Sequence, residues 1–62
     1  MEKLRVFKQF GCYAVFAYNE YGHFWQQISL EYTTINRLNT YFCKKNGYEI
    51  VGDMRVVYTG KF

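Results

Sequence analysis

The feature that most constrains the fold is the stretch FGCYAVFAYNEYGHFW, residues 10–25. Aromatic side chains dominate it, glycines lie near both ends, and the polar motif NEYG divides it. Such a pattern is typical of two antiparallel strands joined by a tight turn. A hairpin of this kind has two faces, and aromatic residues fall on both of them. The question that follows is what covers the second face.

The chain length limits how much of this hairpin the protein can bury by itself. A chain of 62 residues forms one domain, residues 1–62, and buries only about 60% of its unfolded surface. Seven Tyr, six Phe and one Trp supply the apolar area that disulfides or metals supplement in other small domains. No apolar run approaches the roughly 18 residues of a membrane span, and no signal-peptide pattern occurs. We therefore expect a cytoplasmic protein with no membrane partner.

The cysteines and the histidine indicate neither disulfides nor a metal site. Cys12 and Cys43 are too few for the disulfide framework of a small secreted domain, so reduced thiols are expected. With the single histidine, His23, and without CxxC or HxxxH spacing, they do not supply the four ligands of a zinc site. We expect no metal and no cofactor.

The formal net charge is +3, and the basic residues form no continuous tract. This mild excess permits an acidic partner without demanding one. Basic side chains on the expected helix and near the C-terminus form a secondary candidate surface for phosphate or an acidic protein: Arg37, Lys44, Lys45 and Arg55. The competing interpretation is a solvated helix face whose lysines complement the helix dipole.

Three alternating segments at the start of the chain predict three β-strands: LRVFKQF, CYAVFAY and HFWQQIS. We expect residues 9–11, Gln-Phe-Gly, to connect the first two strands as a three-residue turn. NEYG would then join the second and third strands in a type I turn with Gly22 in the left-handed conformation.

A helical pattern follows at residues 30–46, where apolar residues recur on one helix face: Tyr32, Ile35, Leu38 and Phe42. Ser29 is the expected N-cap, with Thr33 as the competing cap, and Gly47 is a strong C-terminal signal. The tail YEIVGDMRVVYT predicts a final strand with a bulge at Gly52. The expected fold class is α+β, a small antiparallel βββαβ sheet with one amphipathic helix packed across one face.

The NEYG turn predicts which residues of the second and third strands share a face. If Asn19 pairs with His23, Trp25 lies on the face of Tyr13. The opposite face then carries Ala14, whose small side chain leaves room for a helix. We therefore expect the helix to cover Cys12, Ala14 and Phe16.

The first strand can join this hairpin in either of two phases. The three-residue turn points Leu4 and Val6 toward the helix and Arg5 and Phe7 away from it. We favour this phase because it buries two aliphatic side chains and leaves an arginine in water. A two-residue turn would instead bring Leu4 and Val6 onto the face of Trp25.

The face that the helix leaves uncovered is the candidate binding site. Trp and Arg are enriched at binding hot spots, and a contiguous exposed apolar patch on a small protein marks an interface. A second copy, a different partner, residues 58–62 folding back, or a mistaken strand register would each account for the patch. Its predicted members are Arg5, Phe7, Tyr13, Val15, Trp25 and Gln27.

Catalytic chemistry has little support in the sequence. No two carboxylates have a spacing that indicates acid–base work, and no P-loop, GxGxxG or GxSxG motif occurs. A cysteine with His23 is the remaining nucleophile–base pair, but the predicted register places Cys12 and His23 on opposite faces. We therefore expect no enzymatic activity.

Nucleic-acid binding is the alternative function. The stretch KQFGCYAVFAY has a basic residue, a Phe-Gly pair and further aromatics on one strand, as RNA-binding sheets do, but Cys-Tyr-Ala at 12–14 interrupts the RNP1 spacing. β-Strands also enter the DNA major groove. The sheet aromatics would then act with Arg5, Lys8 and Arg55. So few basic residues predict weak, salt-labile binding.

The remaining prediction concerns the role of such a small chain. A protein of 62 residues without a catalytic motif acts by occupying a surface. Its composition, rich in Tyr, Phe, Lys and Asn and without Pro, is common among small proteins of AT-rich phages and mobile elements. We predict a phage-type inhibitor or adaptor of a host protein or nucleoprotein complex, acting in the host cytoplasm and self-associating as a homodimer. A homo-oligomeric structural subunit is the third alternative.

Overall fold

A computed structural model describes residues 3–60, which form a five-stranded antiparallel sheet and one helix. The strands lie in the order β3-β2-β1-β5-β4. The helix α1 spans residues 35–46 and widens to π-helical geometry at Asn39–Cys43. The predicted α+β class is confirmed. No helix in this part of the chain has the length and apolarity needed to cross a membrane. The strand bounds are β1 Lys3–Gln9, β2 Cys12–Asn19, β3 Phe24–Gln27, β4 Tyr48–Val51 and β5 Arg55–Tyr58.

The tail forms a hairpin of two strands where one strand was predicted. β4 pairs with β5 from Tyr48↔Tyr58 to Val51↔Arg55, and the chain turns through Gly52–Met54. The predicted bulge at Gly52 is therefore wrong. Three residues that include a glycine between two apolar runs are themselves a hairpin signal, so this turn could have been predicted from the sequence.

The helix α1 begins later than its apolar periodicity predicts. Thr34 caps it, and its Oγ1 accepts the N–H of the third helical residue at 3.1 Å. The expected caps Ser29 and Thr33 are both wrong, because Ser29 is buried in the preceding segment, where its Oγ accepts the N–H of Val15 at 2.8 Å. The predicted C-terminus is right: Gly47 ends the helix with a left-handed φ of 77°.

The turn between β1 and β2 has two residues instead of three. Gln9 pairs with Cys12, and Phe10 and Gly11 have left-handed φ values of 52° and 75°, as in a type I′ hairpin turn. Such turns favour Asn-Gly or Asp-Gly, so a Phe at the first position conceals the signal. The favoured three-residue connection is wrong.

The turn between β2 and β3 is also displaced by one residue. Asn19 pairs with Phe24, whereas the predicted partner was His23. The Oδ1 of Asn19 accepts the N–H groups of Tyr21 at 2.8 Å and Gly22 at 3.2 Å. The left-handed residue is His23, with φ 54°, and not Gly22.

These two displacements invert the faces of β2. The helix packs on the face of Val15 and Tyr13, together with Leu4 and Val6, which the two-residue turn brings to the same side. The predicted covered face of Cys12, Ala14 and Phe16 points the other way, because strand register, not side-chain size, decides which face meets α1. The centre of the core is Val6, Val15, Leu38 and Val56.

Candidate binding face of the sheet

The face of the sheet opposite α1, hereafter the open face, has no helix or further strand packed on it within residues 3–60. Cross-strand partners point to the same side of a sheet, so the strand register defines rows of neighbouring side chains. One row crosses all five strands: Gln27, Phe16, Arg5, Arg55 and Val51.

Four aromatic side chains pack together on the β3, β2 and β1 part of this face. This aromatic cluster consists of Phe7, Phe16, Tyr18 and Trp25. Phe7 on β1 and Trp25 on β3 lean toward each other across β2, and their ring centroids are 5.1 Å apart at an interplanar angle of 79°. Phe7 also meets Phe16 at 5.3 Å, and Tyr18 meets Trp25 at 5.2 Å.

The aromatic cluster supports itself but remains partly in water. Edge-to-face ring pairs contribute about 0.5–1.5 kcal/mol each beyond the area they bury. Even so, Phe7 stays 37% exposed and Trp25 39% exposed. The rings are thus held in place by one another while a substantial apolar surface faces outward.

Two arginines border the aromatic cluster. Arg5 and Arg55 are direct cross-strand partners, an arrangement of like charges that is unfavourable without a counter-charge. An Nη of Arg5 donates to the backbone oxygen of Asp53 at 2.8 Å and lies 4.0 Å from its carboxylate. Since the Asp53 side chain is 87% exposed, this ion pair adds little stability, but with the hydrogen bond it holds the Arg5 guanidinium at the turn between β4 and β5.

Four of the six predicted binding residues lie together on the open face: Arg5, Phe7, Trp25 and Gln27. The other two predictions are wrong, because Tyr13 and Val15 lie beneath α1 and Val15 is fully buried. Phe16 and Tyr18 lie on the open face instead. They were not predicted because the two faces of β2 were assigned the wrong way round. Treating Phe-Gly as a two-residue turn would have identified them, since one residue of register moves every side chain to the other face.

The predicted basic residues do not form one surface. Arg37, Lys44 and Lys45 are exposed on α1, whereas Arg55 belongs to the open face. Lys8, which the nucleic-acid alternative grouped with the arginines, lies on the α1 side of the sheet with its Nζ 5.6 Å from a tyrosine ring centroid. The open face therefore carries fewer cations than that alternative required.

The two cysteines lie on opposite sides of the sheet, and both are free thiols. Cys12 is half-buried on the open face, contrary to its predicted position under the helix. Cys43 is fully buried, and desolvation raises the pKa of its thiol. Among residues 3–60, no group of three or more His, Cys, Asp and Glu side chains is arranged to hold a metal ion.

Together the fold and the open face define a small α+β protein whose sheet is covered by a helix on one side and by partly exposed aromatic rings on the other. Comparison of the chain with protein-family models, curated proteins and solved structures finds no match. The open face is therefore the main evidence for function.

Proposed function

We propose that the protein is a non-enzymatic binding protein whose open face covers a surface of its partner. It would act as an inhibitor or adaptor of a protein or nucleoprotein complex, of the kind that phages and mobile elements direct at a host. The observation that carries the proposal is the aromatic cluster, in which Trp25 is 39% exposed although two neighbouring rings fix its position.

Rigid, partly exposed aromatic rings are suited to anchor an interface. Because Trp25 is already held by Phe7 and Tyr18, little side-chain entropy is lost when a partner covers it. Interfaces combine an apolar centre with a polar rim. The guanidinium group of Arg55 provides donors at the rim of the open face. Arg5 and Gln27 each donate one N–H to a backbone oxygen of the chain and have further N–H groups for a partner, so this rim favours a partner surface that carries carboxylates.

The test is affinity capture from the source cell with wild-type protein, a Trp25→Ala variant and a Tyr41→Ala control. Tyr41 is 54% exposed but belongs to α1, so it controls for nonspecific aromatic adhesion. We expect one partner to be retained by wild type and Tyr41→Ala, lost by Trp25→Ala, and unaffected by nuclease. The purified partner should bind Trp25→Ala weaker by about 2 kcal/mol or more. Equal retention by all three chains contradicts the proposal.

Nucleic-acid binding is a second candidate, favoured by the juxtaposition of Arg5 and Arg55 with the aromatic cluster. Sheets that bind single strands combine basic residues with rings on which bases stack. However, Arg5 already donates to Asp53, and two arginines neutralise few phosphates. We expect labelled single-stranded oligonucleotides to bind above about 1 μM at physiological salt in an anisotropy titration. Tight, sequence-selective binding would replace the first proposal.

A further inference from the structure

The strand β3 forms one edge of the sheet, and its outer side meets no other strand in the described part of the chain. The N–H of Ile28 donates to the backbone oxygen of Val15 at 2.9 Å. Because bonded pairs alternate along an antiparallel ladder, Gln26 and Phe24 also direct their backbone groups toward β2. The N–H and C=O groups of Trp25 and Gln27 therefore point outward, available to another strand.

Nothing in the sequence of this edge discourages pairing. Natural edge strands are protected by lysine, proline, inward charges or bulges. Residues 21–30 contain no Lys, Arg, Asp, Glu or Pro, whereas β4 at the other edge carries the exposed charge of Glu49. Three apolar side chains at the β3 edge are also exposed, Phe24 by 51%, Trp25 by 39% and Ile28 by 38%.

We propose that β3 pairs antiparallel with β3 of a second copy of this chain, about a two-fold axis at Gln26. The outward backbone groups allow an axis at Trp25, Gln26 or Gln27. Only the axis at Gln26 sets Phe24 opposite Ile28 of the other copy while Trp25 lies opposite Gln27. That register uses all five residues from Phe24 to Ile28 and brings the exposed Phe24 and Ile28 side chains of the two copies together.

The distribution of charge makes this edge a better place for a second copy to bind than any other part of the molecule. Two copies each carry a net charge of +3 and repel one another, but the paired segments are uncharged, so no like charges lie opposite. Strands this short bury an area at the low end of specific interfaces. The dimer is accordingly weak, with a dissociation constant in the micromolar range or above.

The proposed pairing has a consequence for the open face. A two-fold axis at an antiparallel strand pair runs perpendicular to the sheet, so both open faces lie on one side and both α1 helices on the other. The two aromatic clusters then form a continuous surface centred on the paired β3 strands. This inference concerns the sheet edge and stands independently of what the open face binds.

The test uses opposite charges at the two-fold axis. We expect Gln26→Lys and Gln26→Glu each to weaken dimerisation about five- to tenfold in sedimentation equilibrium, since like charges then face each other. An equimolar mixture of the two variants should return to within about twofold of wild type. The same pair of substitutions at Thr40, exposed on α1, controls for net charge and should leave dimerisation unchanged. Circular dichroism confirms that each variant folds.

Three results would overturn the pairing. The first is a wild-type chain that remains monomeric up to about 1 mM. The second is a mixture of the Lys and Glu variants that dimerises no better than either alone. The third is loss of the dimer in Phe7→Ala with no effect at Gln26, which would show that the open faces pack on each other.

Hydrogen exchange gives an independent measurement of the same pairing. The amides of Trp25 and Gln27 should exchange more slowly as the protein concentration rises, and unchanged rates would also contradict the proposal.

Discussion

The two faces of this sheet bury their side chains in different ways. On the covered face, Val6, Val15 and Val56 form an aliphatic layer on which Leu38 of α1 packs, and all four are at most 6% exposed. On the open face, aromatic rings pack edge-to-face or tilted against each other, and the outermost of them, Phe7 and Trp25, remain more than a third exposed.

The difference shows how a chain of this size can stabilise both faces of a sheet. Branched aliphatic side chains make a level surface that gains most of its stabilisation when a second layer excludes water. Large aromatic rings gain part of their stabilisation from contacts with neighbouring rings on the same face. Residues 3–60 include one helix to use as a layer, so the aromatic face is the one that can remain uncovered.

The largest expected contrast is in thiol reactivity. Cys12 on the open face should react with a disulfide reagent in the native protein, whereas Cys43 beneath the helix should react at least about a hundredfold more slowly. A rate that slow follows if labelling of Cys43 requires opening of the core, which takes about 3 kcal/mol or more in a small domain. A Cys12→Ser variant isolates the slow phase. Equal rates for the two thiols would contradict the assignment of the faces.

The raised pKa of the Cys43 thiol makes the stability of the protein depend on pH. Burial raises the pKa of Cys43 in the folded state, so the folded protein keeps this proton to higher pH than the unfolded chain. The free energy of unfolding should therefore be unaffected by this group below about pH 8 and decrease as pH rises above the unfolded pKa of about 8.5. Urea denaturation of wild type and Cys43→Ala between neutral and alkaline pH measures the difference.

Truncation of the helix at its contact with the covered face should have the largest effect on stability. Leu38 is fully buried, so Leu38→Ala is expected to lower the free energy of unfolding by about 2–5 kcal/mol. The same substitution at Leu30, which is 75% exposed, is the matched control and should change it by less than about 0.5 kcal/mol. Urea denaturation compares the two. Similar values for both leucines would place α1 outside the core.

Substitution of Ser29 tests the buried hydrogen bond that its hydroxyl oxygen accepts from β2. Its Oγ accepts the N–H of Val15 at 2.8 Å, so Ser29→Ala leaves a buried donor without a partner and should cost about 1–3 kcal/mol. Thr33→Ala, an exposed hydroxyl deletion four residues later, should change stability by less than about 0.5 kcal/mol. The opposite ranking in thermal or urea denaturation would show that α1 begins earlier than residue 35.

The smallest expected effect is the coupling within the open face. A double-mutant cycle of Phe7→Ala and Trp25→Ala should give a coupling energy of about 0.5–1.5 kcal/mol, the contribution of an edge-to-face pair. Each single variant should remain folded, because both rings are partly exposed. A cycle of Trp25→Ala with Phe10→Ala, whose ring is 95% exposed at the turn, should show no coupling. If Trp25→Ala alone unfolds the protein, the open face is part of the core.

The sequence alone determined the local elements and much of the candidate site. Alternation in the first 29 residues reflects the two-residue period of a strand, and the helix ends at Gly47 because a left-handed residue terminates it cheaply. The outward positions of Arg5, Phe7, Trp25 and Gln27 were also predicted. These residues lie on β1 and β3, on either side of β2. Each of the two turns was predicted with an error of one residue, and the two errors cancel, so β1 and β3 keep the predicted orientation relative to each other.

Only the tertiary structure decided the orientation of β2 and with it the central part of the candidate site. Both faces of that strand are apolar, with Phe16 and Tyr18 on one side and Tyr13 and Val15 on the other. The hydrophobic effect is non-directional, so composition cannot choose between such faces. The choice follows from two turns, Phe10-Gly11 and residues 20–23, whose left-handed residues set the register. A shift of one residue in either turn exchanges side chains that α1 buries with side chains that the open face exposes.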